Sequence, residues 1–365
     1  MGYNSFSGGK VVAKKQVNEI NDIDQFVYWQ LHFDEAAEFF FPAIKFTGQQ
    51  KEGFKELSKL IRAKLNLADG KVLSEEETGY SKKIGLSIQS GFGTGKDAFA
   101  SICILLFTLL FPNPKNMATA NTAKQLKNVL WSEISTWMRQ YCRKATPESK
   151  YTVMEELLEL QSEKLFLKAH KGESWFTEAV TINTSKTSEE QASAIAGRHA
   201  DYQLIVLDEA CGINDSVPLK LEKTLTRKLN LMLLIFNPET TKGYAIDSQH
   251  DPRFVALRWS SEDSELVTRE QIEAIENKYG RDSNPFRISV LGLPPLTESD
   301  AFFPLEWIER ATDMIKEPHK DDPLIKAMDC GAGGDKSVIG ARKGNYIYPL
   351  LRKNTPDSNQ LEGWA

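Results

Sequence analysis

At 365 residues, with 41% hydrophobic and 26% charged positions, the chain is long enough for one large domain and part of another, and its composition is that of an ordinary globular protein. A formal charge of −5 excludes a surface coated in nucleic acid throughout, though not contact through one local patch. Cys103, Cys142, Cys211 and Cys330 form no C-x-x-C pair and no zinc spacing, which predicts reduced thiols and a cytoplasmic setting.

The N-terminus, MGYNSFSGGKVVAKKQ, lacks the apolar stretch of a signal peptide. The most apolar run, ICILLFTLLF from Ile102, is about half the length that spans a bilayer and is expected to be a buried core helix, so no membrane role is expected. The basic pairs Lys14–Lys15, Lys82–Lys83, Arg227–Lys228 and Arg342–Lys343 read as solvated surface.

From Lys83 to about Phe254, short apolar β-type segments (KIGLSIQ, NMATA, EAVTI, LIVLDEA, LMLLIF, FVALRW) alternate with helical patterns over 98–110, 123–140 and 217–225. That alternation predicts an α/β fold with a mainly parallel central sheet flanked by helices. A further helical pattern covers 269–279, and the proline-rich stretch GLPPLTESDAFFP that follows reads as a linker. The expected organisation is a domain over 1–295 with an N-terminal helical extension, a linker over 296–322, and a second unit over 323–365 that opens with a strand, a glycine turn and a hairpin.

Between KIGLSIQ and the next helix lies SGFGTGKD, Ser90 to Asp97. It resembles the phosphate-binding pattern G-x-x-x-x-G-K-[ST], with Ser90 in place of the first glycine and Asp97 in place of the magnesium-binding hydroxyl. Gly91, Gly93 and Gly95 let backbone N–H groups turn toward an anion, the helix N-terminus adds partial positive charge, and Lys96 is placed to reach the β- and γ-phosphates of a nucleotide. LIVLDEA supplies the complementary acids at the C-terminal end of a buried strand, where ligands sit in open α/β sheets. Asp208 is expected to hold Mg2+ or its water, and Glu209 to orient and deprotonate the attacking water.

These motifs resemble the ATPase of the large terminase subunit of tailed bacteriophages, the motor that packages DNA into proheads. The resemblance rests on SGFGTGKD, ATANTAKQLKNVLWSEI, AGRHADYQLIVLDEACGI, LLIFNPETTKGYAID and MDCGAGGDKSVIGARKG, in the family's order across most of the chain. It implies a P-loop NTPase of the ASCE type, followed by the first strands of an RNase H-like nuclease. Within the phosphate loop, Ser90, Gly91, Gly93, Thr94, Gly95, Lys96 and Asp97 match nucleotide-binding positions, with Asp97 as a second metal ligand beside Asp208. Asn237, with Pro238, matches the segment that senses the γ-phosphate, and Gln49 or Gln50, with Gln50 preferred, sits where adenine is recognised. For the arginine that stabilises the transferring phosphate, Arg198 is the first choice and Arg227 the second.

By the same resemblance, Asp329 is the first ligand of a two-metal nuclease site, taking Mg2+ or Mn2+ if that site is completed, with Asp335 as a neighbour. The chain is therefore expected to hydrolyse ATP with Mg2+ but not to cut DNA, its nuclease part being truncated. The implied partners are double-stranded DNA, the small terminase subunit and the portal protein of the prohead, with a homo-oligomeric ring when docked, a monomer in solution, and the cytoplasm of a bacterial host as the setting. The alternatives are a superfamily 2-type helicase or remodelling ATPase, which shares the loop and the acid pair, and a nucleotide-binding regulatory protein in which Asp97 has abolished turnover.

Overall fold

The computed structural model describes residues 23–181, 199–296, 320–331, 335–344 and 346–354. The chain divides into two units, Met1–Ser299 and Asp300–Ala365.

In the first unit, an eight-stranded sheet is built from β1 (Gly85–Ser90), β2 (Lys115–Ala120), β3 (Leu158–Leu160), β4 (Lys164–Leu167), β5 (Phe176–Ala179), β6 (Tyr202–Asp208), β7 (Leu229–Phe236) and β8 (Phe254–Trp259), in the order β3-β4-β5-β2-β6-β7-β1-β8. The pairs from β5 through β8 are all parallel, and only β3–β4 and β4–β5 are antiparallel. This is the α/β class expected from the sequence, with a mainly parallel central sheet flanked by helices. The antiparallel edge is an addition to that expectation, because LEL and KLFL are too short to show a period.

The central strands read as unbroken apolar runs because both faces are covered. Leu204, Val206, Leu231, Leu233 and Ile235 face one core, while Ile205, Leu207, Met232, Leu234 and Phe236 face the other. One core is shared with helices α1 (Ile23–Leu31), α2 (Phe33–Phe40), α3 (Gly48–Ala68) and α5 (Lys96–Leu110), and α4 (Glu75–Ser81) follows α3. Residues 99–110 of α5 are all buried, so the apolar run is a core helix, apolar all round because it has no solvent face. Among the described residues no helix is long and apolar enough to cross a membrane.

Helix α3 is held close to α5 and β8 at Gly53, where an added Cβ would lie 2.8 Å from the Phe99 ring and 3.0 Å from Trp259. The rings of Phe54, Phe99 and Trp259 run in sequence from α3 to α5 to β8, with centroids 4.7 and 5.3 Å apart. The expected helix over 123–140 is present but carries π turns at Leu126–Leu130 and Trp137–Tyr141, which the apolar spacing does not signal. The helix expected over 217–225 spans Ser216–Glu222.

In the second unit, β9 (Leu324–Asp329), β10 (Ser337–Lys343), β11 (Tyr346–Ile347) and β12 (Leu351–Lys353) form an antiparallel sheet in which β10 pairs with each of the others. The expected hairpin is present, with Lys343 opposite Tyr346 across the turn at Gly344, whose φ is 57°.

Candidate functional site

Strand order sets the site. β7 lies between β1 and β6, so the loop after β1, the acids ending β6 and the residue following β7 converge at the C-terminal edge of the sheet. Gly93 and Gly95 take φ values of 66° and 78°, the left-handed region in which a side chain is strained, and the loop turns there from strand into helix. The first half of the loop is held by its neighbours: the Gly91 N–H donates to the Trp259 carbonyl at 2.8 Å and the Phe92 N–H to the Ser289 carbonyl at 2.6 Å. The second half, leading into the first turn of α5, carries the N–H groups that a helix leaves without intrahelical partners. A cavity of about 240 Å³ opens there, lined by Gly91, Gly93, Thr94, Gly95, Lys96, Asp97, Ala98, Glu133 and Leu266.

Lys96 points at acids from both sides, with Nζ 3.5 Å from Asp97 Oδ1 and 3.2 Å from Glu209 Oε1. Burial works against its charge, but Asp97, Glu209 and Asp208 together hold its pKa above the ordinary lysine value. Asp208, 2% exposed at the end of β6, is pushed up to about 7, first by burial and then by Asp97 and Glu209, with Lys96 opposing. Glu209 follows with φ at 49°, a left-handed conformation that costs a non-glycine residue on the order of 1 kcal/mol and recurs where a side chain must be aimed.

The donor set suits a small divalent cation. Asp97 Oδ1 and Asp208 Oδ1 are buried and accept no hydrogen bond, although the Lys96 ammonium stands 3.5 Å from the first. Among the described residues no group of three or more His, Cys, Asp or Glu side chains could hold a metal by itself. Two carboxylates fall within the one or two that Mg2+ takes from a protein.

Ser90, Gln50 and Asn237 stand behind this cavity. Ser90 is fully buried as the last residue of β1, and its carbonyl accepts the side-chain N–H of Asn237 at 2.7 Å. Gln50 Nε2 donates to the Gly95 carbonyl at 3.1 Å while its Oε1 accepts the Thr47 N–H, closing a capping box at the start of α3. Gln49 donates instead to the Ser260 carbonyl at 2.9 Å. Arg198 lies outside the described residues. Arg227 is exposed just before β7, at the opposite end of that strand from Asn237, and an eight-residue strand at about 3.3 Å per residue puts it out of reach of the loop. In the second unit, Asp329 is exposed at the end of β9 and Asp335 is also exposed.

Sequence reasoning missed Leu266 and Glu133 as cavity walls. Leu266 belongs to no motif and arrives from the stretch after β8, while Glu133, whose carboxylate accepts the Trp137 indole N–H at 2.8 Å, lies within ATANTAKQLKNVLWSEI on the helix after β2, a segment whose resemblance assigns it no role.

No family model matches the chain. A curated relative, described as the probable large subunit of the terminase of Enterobacteria phage P7, is 32% identical over 266 residues, which cover 69% of this chain and 51% of that protein. The chain thus spans about half the length of the curated relative it matches. Among solved structures, the large terminase of a thermophilic bacteriophage aligns with 84% of this chain and 72% of its own, at a TM-score of 0.45 and 12% identity. The large terminase ATPase domain of Thermus phage P74-26 aligns with 62% of this chain and 96% of its own, at a TM-score of 0.41 and 14% identity.

Proposed function

On the premise that this chain is related to the large terminase subunits of bacteriophages, we propose that it is an ATP-hydrolysing motor subunit that moves double-stranded DNA into proheads. The observation that carries the reading is the convergence of Asp97, Asp208 and Glu209 around Lys96 at the glycine loop, with Lys96 and Asp97 lining the cavity there.

In this reading the N–H groups of the loop and of the first turn of α5 bind the phosphates, and Lys96 leaves its acid partners to pair with the β- and γ-phosphates. Asp97 and Asp208 would hold Mg2+, which would supply charge neutralisation to the phosphates. Glu209 orients a water and takes its proton as the water oxygen bonds to the γ-phosphorus; the bond to the β–γ bridging oxygen breaks and ADP leaves. Asn237, tied to Ser90, couples the state of the loop to the end of β7. Arg198 is the proposed source of positive charge for the transferring phosphoryl group.

The partners are double-stranded DNA, the small terminase subunit and the portal, with ring assembly on the docked prohead and the host cytoplasm as the setting. In the second unit, Asp329 is proposed as the first carboxylate of an RNase H-like nuclease site, to be filled by Mg2+ or Mn2+ only where further acids join it.

Phosphate release measured with and without duplex DNA and portal-bearing proheads, beside Lys96→Ala, tests the assignment. Turnover raised by DNA, lost in Lys96→Ala and unaccompanied by strand separation is expected. Strand separation would move the chain to the helicases, and tight ATP binding without turnover would make it a regulatory protein.

A further inference from the structure

Gln50 is sealed in: the residue is 4% exposed, and both ends of its amide are engaged, Oε1 by the Thr47 N–H and Nε2 by the Gly95 carbonyl. A Cβ added at Gly95 would lie 2.6 Å from Gln50 Nε2 and 3.0 Å from Leu266 Cδ1, so the amide and the leucine flank the same turn of the loop. Of the two, Leu266 faces the cavity: it is 55% exposed and lines the opening beside Lys96 and Ala98. It is fixed there on both sides. Glu265 accepts the Gly48 N–H at the start of α3 at 3.1 Å, and Val267 Cγ2 packs against the loop at Gly93, 2.9 Å from an added Cβ.

We infer that the base of a bound nucleoside triphosphate rests on Leu266, and that Gln50 is a positioning residue for the Gly95 turn and does not read the base. The inference rests on the nucleotide reading above and adds a specificity to it. An aliphatic wall contacts any purine face, whereas strong discrimination needs a polar group that the wrong base leaves unpaired. Neither polar end of the Gln50 amide is offered to the cavity, and the Glu133 carboxylate that lines it is engaged by the Trp137 indole N–H at 2.8 Å. The site therefore accepts ATP and GTP with similar affinity.

Calorimetric titration of the chain with ATP, GTP and inorganic tripolyphosphate, each with Mg2+, tests this. ATP and GTP should bind within about threefold of each other, since an apolar contact discriminates weakly. Leu266→Ala, at an exposed position that should fold normally, should weaken both nucleotides by about three- to tenfold and leave tripolyphosphate unchanged, as expected for a few methyl-sized contacts. Gln50→Ala, checked for folding by its melting curve, should weaken all three ligands alike. Preference for ATP over GTP by more than about tenfold, lost in Gln50→Ala while tripolyphosphate binding is kept, would overturn the inference. So would Leu266→Ala weakening tripolyphosphate as much as ATP. If none of the three ligands binds, the nucleotide reading itself falls.

Discussion

Lys96 Nζ stands 3.2 Å from Glu209 Oε1, so the cation assigned to the phosphates is paired with the carboxylate assigned to the attacking water. A nucleotide must separate them, and doing so frees Glu209 to accept a proton while Lys96 gains stronger anionic partners. Glu209→Gln should therefore bind ATP at least as tightly as the native chain, because one negative charge near the phosphates is removed. Its turnover should fall by about a hundredfold or more, consistent with loss of a positioned general base. A binding titration set beside a phosphate-release assay checks both, and near-native turnover would take Glu209 out of the mechanism.

Asp97 occupies a position where a hydroxyl is usual in such loops, and its carboxylate brings negative charge toward the β-phosphate. With a divalent ion that charge becomes a ligand; without one it repels the nucleotide. ATP affinity should thus fall by about tenfold or more when EDTA replaces Mg2+, and Asp97→Ala should lose much of that dependence. Equal ATP affinity with and without Mg2+ in the native chain would remove Asp97 from the metal site.

Asp208 offers a test that needs no nucleotide. Its folded-state pKa of about 7 lies above the usual carboxylate value of 3.8, so between those limits the folded chain holds a proton that the unfolded chain releases. Stability then falls as pH rises through this window. From pH 6 to pH 8 the Asp208 contribution amounts to about 1 kcal/mol, lost at the higher pH. In metal-free buffer, Asp208→Asn should flatten the change in melting temperature over that interval. An Asp208→Asn protein with the native pH slope would show that this carboxylate is not held protonated.

The parts of the site legible in the sequence are those whose signal is local. SGFGTGKD carries its own strand, turn and helix, and the apolar run before Asp208 and Glu209 marks a buried strand whose C-terminal end must face the ligand edge. The α/β class was legible for the same reason, since LMLLIF and LIVLD are apolar enough to be covered on both faces. The roles of Gln49, Gln50 and Leu266 are set by contacts distant in sequence: Gln49 meets Ser260, 211 residues away, and Gln50 meets Gly95, 45 residues away. No periodicity records such contacts. The π turns in the 123–141 helix escape a sequence reading because a single extra residue per turn leaves the apolar spacing nearly intact.

Asn237 provides the last test, because its contact with Ser90 joins the end of the strand between β1 and β6 to the first residue of the phosphate loop. The 2.7 Å bond runs from the side-chain amide to a backbone carbonyl, so only a donor at position 237 can make it. Asn237→Ala leaves the Ser90 carbonyl without that partner, a cost of about 1–3 kcal/mol for a buried acceptor, and should lower the melting temperature. Asn237→Asp is nearly the same size but presents an acceptor to an acceptor, so it should be worse than alanine in both stability and turnover. If Asn237 couples the two elements and does not hold the nucleotide, both variants should lower kcat by about tenfold or more while ATP affinity changes by less than about threefold. Measuring melting curves, ATP binding and phosphate release on both variants separates the cases. A loss confined to binding would make Asn237 a nucleotide contact, and an Asn237→Asp protein as stable and active as the native chain would mean that the bond to Ser90 couples nothing.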